Sequence, residues 1–455
     1  MKLLTIDKKL NKIETPQGTL TLSSVFTAFF LEMMLMSLMG TVSTLMLGHY
    51  SDNAVAAVGA ASQFMGMIFT FYTVISSGAS IVISHNLGAN KKKVASDAAF
   101  TTIIFSGVLS LTAGIILSIF ATPLMALMQI KDTLLSDAST YFSICILFSC
   151  IQAIISSLSA ILRSYGKPKI AVIVSLFMNI INAILDFIII YRPFEIPLHG
   201  VTGISISYVI SQFCALILII ILFINTPLDL QFRKKSFRNL KIIKDILYIG
   251  VPGGISSLSY SMSQVVSTSI IAVLGVTAIS AKIYLSNIFF YVYVIGLSLG
   301  LATSLMVGWL VGAGKYEQAY NLNNQNLKIT ILLNIVISLL ILIFGNNIIG
   351  LFTSNPEIIA MSRTIMIIDL FVEIGRGFNH IEGNSLRGAG DVIFQMVISI
   401  VSCWSMSILF SYILAIKLGL GLPGCWISFA MDEIFRGIIF FFRWKSRKWT
   451  KKSIV

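Results

Sequence analysis

The sequence predicts an all-α polytopic membrane protein whose twelve transmembrane helices form two six-helix lobes, related as a parallel pseudo-twofold repeat. Three observations predict it: a composition too apolar for a water-covered surface, apolar runs that recur along the whole chain, and a self-match at one constant offset. Of the 455 residues, 56% are hydrophobic and 11% are charged, and the mean hydropathy is +0.91. A soluble chain carries about a quarter charged residues, so this one has too few to cover a water-facing surface.

Twelve spans are read in order, at roughly 21–47, 54–84, 96–120, 134–162, 170–191, 201–225, 243–274, 279–311, 325–345, 357–384, 392–416 and 422–442. An apolar run of about 20 residues crosses a bilayer as a helix. Lipid offers the backbone no partners, so only helices or closed barrels span it. Barrel strands alternate over roughly 10 residues, and these runs are longer and uniformly apolar. Residues 1–20 are polar, with Lys2, Lys8, Lys9, Lys12 and Glu14, and hold no apolar signal region. The basic stretch 226–242, with Pro227, divides an N-lobe (21–225) from a C-lobe (243–442), and 443–455 form a basic tail.

The formal net charge of +13 does not point to nucleic acid, because the Lys and Arg residues fall in short loops between apolar runs. The segments on the N-terminal side of the membrane hold Lys91–Lys93, Arg163, Lys167, Lys169, Arg233–Lys235, Arg238, Lys241, Lys244, Lys315, Arg387 and the tail cations. The opposite loops hold only Lys131, Arg192 and Lys417. Cytoplasmic loops are enriched in Lys and Arg, so both termini are expected in the cytoplasm, as an even span count requires. The five cysteines lie in or beside apolar runs, with no metal-ligand spacing or disulfide framework.

Shifting the chain by 224 residues places Val42-Ser43-Thr44 on Val266-Ser267-Thr268. The same shift sets Ala54 and Ala57 on Ala278 and Ala281, Gly88-Ala89 and Lys91 on Gly312-Ala313 and Lys315, and Leu162-Arg163 and Gly166 on Leu386-Arg387 and Gly390. A three-residue slip then aligns Gly200, Gly203 and Ser207 with Gly421, Gly424 and Ser428. Six spans per half give both halves one orientation, so they are parallel repeats about an axis along the membrane normal. A site between such lobes opens to either side by rocking, which suits a transporter better than a membrane enzyme.

Charges inside a bilayer are costly and mark candidate functional residues. The fifth span carries Ser175, Asn179, Asn182 and Asp186, spaced four, three and four on one helical face. A carboxylate among amide and carbonyl oxygens suits a hard cation such as Na⁺, or binds a proton. The bland alternative is a polar stripe that joins helices. The tenth span carries Asp369, Glu373, Arg376 and His380 at the same spacing. There Glu373 and Arg376 can pair, as a coupling or substrate-charge site or as a packing ion pair.

The segments "TLMLGHYSDNAVAAVG" (44–59), "NLGANKKKVA" (86–95), "NIINAILDFIIIY" (179–191), "IGVPGG" (249–254), "VGAGKYEQA" (311–319) and "SLRGAGD" (385–391), with the run 418–449, resemble the multidrug and toxic compound extrusion (MATE) family of the multidrug/oligosaccharidyl-lipid/polysaccharide exporter group. The resemblance implies export driven by Na⁺ or H⁺, with substrate bound between lobes. It places Asn182 and Asp186 in the cation-coupling site, as Na⁺ ligands if Na⁺ is the driver, and Ser207 at a hydroxyl position near it. The sequence departs from the pattern at Ser43, where the family usually has an acid. Glu32 is an alternative acid in that span, but 11 residues at 1.5 Å each put it about 16 Å away. The family also has an acid and an Arg near Glu373 and Arg376.

The expected function is a secondary-active antiporter that exports amphipathic or cationic compounds from a bacterial cell membrane, as a monomer and without cofactor beyond H⁺ or Na⁺. "GAGK" at 312–315 lacks the residues of a phosphate loop, so no ATPase unit is expected in the chain. No catalytic motif is found. The alternative is a flippase for a lipid-linked saccharide, for which the central cations counted, Lys282 and Arg376, are few.

Overall fold

The structure, a computed structural model, describes residues 11–15, 18–127, 132–193, 197–228, 230 and 240–454. Lys2, Lys8 and Lys9, Lys131, and Arg233, Lys234, Lys235 and Arg238 of the interlobe linker lie outside the described residues. A hairpin of β1 (Lys12–Thr15) and β2 (Gly18–Thr21) leads into α1 (Leu22–Gly48). Then follow α2 (Asp52–Gly88), α3 (Lys92–Ile119), α4 (Ala121–Leu127), α5 (Asp132–Leu147), α6 (Ser149–Ser164), α7 (Pro168–Tyr191) and α8 (Gly200–Asn225). The second half holds α9 (Leu240–Val273), α10 (Val276–Gly312), α11 (Tyr316–Ile343), α12 (Gly345–Gly350), α13 (Pro356–Phe378), α14 (Asn384–Gly388), α15 (Val392–Ser402) and α16 (Gly421–Lys445). Asn379–Gly383, Cys403–Leu409 and Tyr412–Lys417 are π-helical.

Eight described helices, with Val392–Lys417 taken as one, are long and apolar enough to cross a membrane, and α5 with α6 makes a ninth, bent by 46°. The bend corrects the straight span expected at 134–162. It falls at Phe148, where the Tyr72 hydroxyl and Ser149 Oγ lie 2.9 Å apart. The remaining three spans are α9, α13 and α16, whose sequences carry the intramembrane charges or the Pro252 interruption. Together these make the twelve spans.

The repeat holds residue by residue. Helices α2 and α10 begin and end 224 residues apart, as do α3 and α11, and α4 and α12 begin at the same offset. The left-handed turns match as well, Asn90 with Gly314 and Gly166 with Gly390.

The two halves meet in the half of the bundle that carries the chain ends. There the glycines of α2 and α10 bring backbone against backbone: a side chain on Gly88 would meet the Trp309 carbonyl, and one on Gly312 the His85 carbonyl. His85 Nε2 lies 2.7 Å from the Gly388 carbonyl, and Trp309 donates its indole N–H to the Ser164 carbonyl at 3.0 Å. In the opposite half, Met36, Leu38 and Leu45 of α1 are exposed. Gly312→Val is expected to cost about 1–3 kcal/mol, as overpacked contacts do, because rigid backbone cannot yield. Thermal unfolding of the purified protein reads this, and an unchanged melting temperature would show that the contact is not close-packed.

The chain ends seal this region. The N-terminal segment, expected only to be polar, folds from Lys12 to Thr21 into a hairpin in which Ile13 pairs with Leu20, and both are buried. Thr21 Oγ1 caps α1 by accepting from the Ser24 amide at 3.2 Å. At the other end, Trp449 stacks on Trp444 with ring centroids 4.1 Å apart and donates to the Trp444 carbonyl at 2.9 Å. Ile13, Leu20, Leu87, Trp309, Trp444 and Trp449 belong to one apolar core.

Candidate cation and substrate sites

The polar face of α7 meets α1 and α8 in the N-terminal half. Asp186 is fully buried, as is Ser207, and Asn182 is 2% exposed. Ser207 Oγ donates to Asp186 Oδ1 at 2.5 Å, and Ser43 Oγ donates to Asp186 Oδ2 at 2.6 Å, with Asn182 Oδ1 3.1 Å away. Asn182 Nδ2 donates to Ser207 Oγ at 3.3 Å. Three helices thus place two carboxylate oxygens, one amide oxygen and two hydroxyl oxygens in one cluster. Among the described residues no Lys, Arg or His pairs with Asp186. A buried carboxylate without a counter-charge is costly, so the cluster is chemically poised to take up a cation. Its all-oxygen ligands suit Na⁺ or a proton rather than a transition metal, and among the described residues no His/Cys/Asp/Glu group of three offers one a site.

Ser43, which stands where the second acid was expected, therefore joins the cluster as a hydroxyl. Asn179 stays outside it and donates to its own helix at the Ser175 carbonyl, 2.7 Å away. Glu32 also lies apart: it pairs with Arg163 Nη1 at 2.7 Å, tying α1 to α6.

The C-terminal half holds a larger charge network between α13 and α16. Arg376 pairs with Glu373 and approaches Glu433 at 3.7 Å. Arg436 binds Asp432 at 2.8 Å and Glu433 at 3.1 Å. Asp369 accepts from the Trp426 indole at 2.9 Å, Asp432 from Ser402 Oγ at 2.6 Å, and Glu433 from Asn379 Nδ2 at 2.5 Å. Asn334 Nδ2 donates to the Glu373 carbonyl at 2.9 Å. Four carboxyl groups thus share two guanidinium groups. Gly375 permits this approach, since a side chain there would meet the backbone at Glu433.

Asp432, Glu433 and Arg436 were missed as site candidates, and Arg436 was missing from the count of central cations. The signal was present: three charges at helical spacing inside the twelfth span, each costly in a bilayer. Their partners on α13 could not be read, because sequence spacing does not say which helices touch. His380 lies beside this network, its ring 5.1 Å from that of Tyr293.

The repeat relates the two halves in backbone but not in chemistry. The strict offset sets Asp186 opposite Phe410. In the structure Ser428, the counterpart of Ser207, lies 2.5 Å from Ser411 instead. A π-helical turn inserts a residue, and the run Cys403–Leu409 lies just before this position. The acid of the first half is matched by a hydroxyl in the second.

A family model described as MatE matches residues 28–188 and 252–413, once in each half. The chain is 36% identical over 438 residues to "Uncharacterized transporter YisQ" of Bacillus subtilis, covering 96% of each chain. It is 27% identical over 432 residues to "Probable multidrug resistance protein NorM" of Thermotoga maritima, covering 93% of this chain and 91% of that one. Its fold matches a structure described as the outward-facing conformation of a multidrug resistance MATE family transporter, with a TM-score of 0.87, 21% identity and coverage of 97% and 98%. It also matches MATE in the bent conformation, with a TM-score of 0.88, 22% identity and coverage of 95% and 96%. The chain belongs to the MatE family of multi-pass membrane transporters and is a transporter, not an enzyme.

Proposed function

We propose that this transporter is a secondary-active antiporter that exports amphipathic, cationic compounds from the bacterial cell, driven by H⁺ or Na⁺ through alternating access. The observation that carries the reading is the Asp186 cluster: a buried acid with no counter-cation, held by side chains from three helices. Cation uptake there changes the balance between two packings of the lobes only if the cation is held differently in the two. With both termini in the cytoplasm, as the Lys and Arg distribution favours, the packed half faces inward and the exposed half of α1 faces out.

The relatives' names supply the substrate class: NorM of Thermotoga maritima and YoeA of Bacillus subtilis are described as probable multidrug resistance proteins. The acid excess between α13 and α16 favours cationic cargo. It also argues against the flippase alternative, because Arg376 and Arg436 are already paired with carboxylates and offer no free cation to a phosphate.

The test is transport by purified protein in liposomes, with Na⁺ and H⁺ gradients imposed separately and a panel of cationic dyes. Dye movement is expected against its own gradient with at least one of the two. Movement that ignores both gradients would overturn the antiport reading.

A further inference from the structure

A second buried acid lies outside both sites. Glu382 sits on the π-helical turn Asn379–Gly383 and is fully buried. Neither of its carboxyl oxygens meets a hydrogen-bond partner among the described residues. The side chain that acts on it is Asn323 of α11, which lies outside hydrogen-bond geometry and has both polar atoms unpartnered. Asn323 too is fully buried.

Two more oxygens belong to the same helical faces. Asn326, one turn along α11, gives its Nδ2 to Thr303 Oγ1 at 2.9 Å, which leaves Oδ1 free of a partner. Ser385, one turn beyond Glu382, is fully buried with Oγ unpartnered. The glycines of α10 let this turn approach: a side chain on Gly300 would run into the His380 carbonyl.

Cations stand on every helix that packs here: Lys282 on α10, Lys328 on α11, Arg376 on α13, Arg387 on α14, and Arg436 and Arg443 on α16. None makes an ion pair with Glu382. The neighbouring acids, Glu373 and Glu433, are bound to Arg376 and Arg436, and the ring of His380 lies against Tyr293. Native proteins leave few buried polar groups unpaired, and each asks for an explanation. Here four such side chains occupy adjoining turns of two packed elements, and all their free acceptors are oxygens. A π-helical turn, common at functional sites, carries the acid.

We propose that Glu382, with Asn323, Asn326 and Ser385, forms a second monovalent-cation site in the C-terminal half, taking up a proton or Na⁺ separately from Asp186. The carboxyl supplies the charge, and the amide and hydroxyl oxygens complete a hard-cation shell or hydrogen-bond the protonated acid. Any role in coupling rests on the antiport reading, but the binding itself does not.

Infrared difference spectra of the full-length purified protein test this, comparing wild type with Glu382→Gln. The expected signal, absent from the variant, is a protonated-carboxyl band that converts to carboxylate. Conversion on adding Na⁺ at constant pH assigns the site to Na⁺, and conversion on alkalinisation alone assigns it to a proton. A Glu382 signal that responds to neither overturns the proposal. Glu382→Asp serves if the Gln variant does not fold: it is expected to shift the band without abolishing its response, and an unshifted response would place the band on another residue. The same spectra of Asp186→Asn are expected to keep the Glu382 band. If Asp186→Asn leaves coupled transport intact, the antiport reading of that cluster fails while the Glu382 band is still decided.

Discussion

Replacing Asp186 with Asn is expected to lower gradient-coupled dye efflux about 10- to 100-fold, in line with coupling free energies of roughly 1–3 kcal/mol, while the protein stays folded. Asn keeps the size of the side chain and one acceptor for the hydroxyls of Ser43 and Ser207, which now bind the carboxylate at 2.6 and 2.5 Å. What it removes is the charge that makes cation uptake favourable. The substitution therefore acts on coupling and not on packing. Everted vesicles loaded with a fluorescent cation read the rate, and thermal unfolding checks the fold. Undiminished, gradient-dependent efflux would refute the assignment. The companion variant Ser43→Asp places a second carboxyl in the cluster. It is expected to tighten Na⁺ binding, because ligand charge count sets the affinity of oxygen sites.

The second large effect is on stability. Arg376→Gln is expected to destabilise the protein by about 3–5 kcal/mol, the usual cost of removing one partner from a buried pair. Arg376 faces Glu373, which is fully buried, and Glu433. Without it, Arg436 alone remains for the carboxyl groups of Asp432, Glu433, Glu373 and Asp369. Glu373→Gln/Arg376→Gln is expected to recover most of the loss, since it removes the orphaned charge together with its partner. A double-mutant cycle on the melting transition measures the coupling. If the single variant melts as wild type does, the network is not held by this pair. Transport separates the roles: should Glu373→Gln and Arg376→Gln each export dye at the wild-type rate, the stripe serves packing alone.

The spans are legible in the sequence because lipid imposes one solution on any long apolar run, and the repeat is legible because 224 residues separate the same turns and the same helix ends. What resists reading depends on contacts between elements. Asn182 and Asp186 share one helix, so spacing alone aligns them, whereas Ser43 reaches them from 139 and 143 positions away in sequence. Glu32 looks like a spare acid until α6 brings Arg163 to it. The hairpin at Lys12–Thr21 is missed because short polar strands carry no periodic signal, and it is held by burying Ile13 and Leu20 against distant helices. The charges of α16 were visible and passed over, since they sit inside a segment otherwise matched on its flanking glycines and aromatics.

The apolar core that seals the packed half joins the beginning of the chain to its end, with Leu20 and Trp449 in one cluster. Synthesis runs from N to C at about 5–20 residues per second, so roughly 20–90 s separate the emergence of these two side chains. During that interval the hairpin has been made but its seat has not, and the nascent transporter has no closed floor. Completion of the barrier is thus tied to completion of the polypeptide: a chain that stops short of Trp449 leaves its defect at the opposite terminus, beneath Leu20.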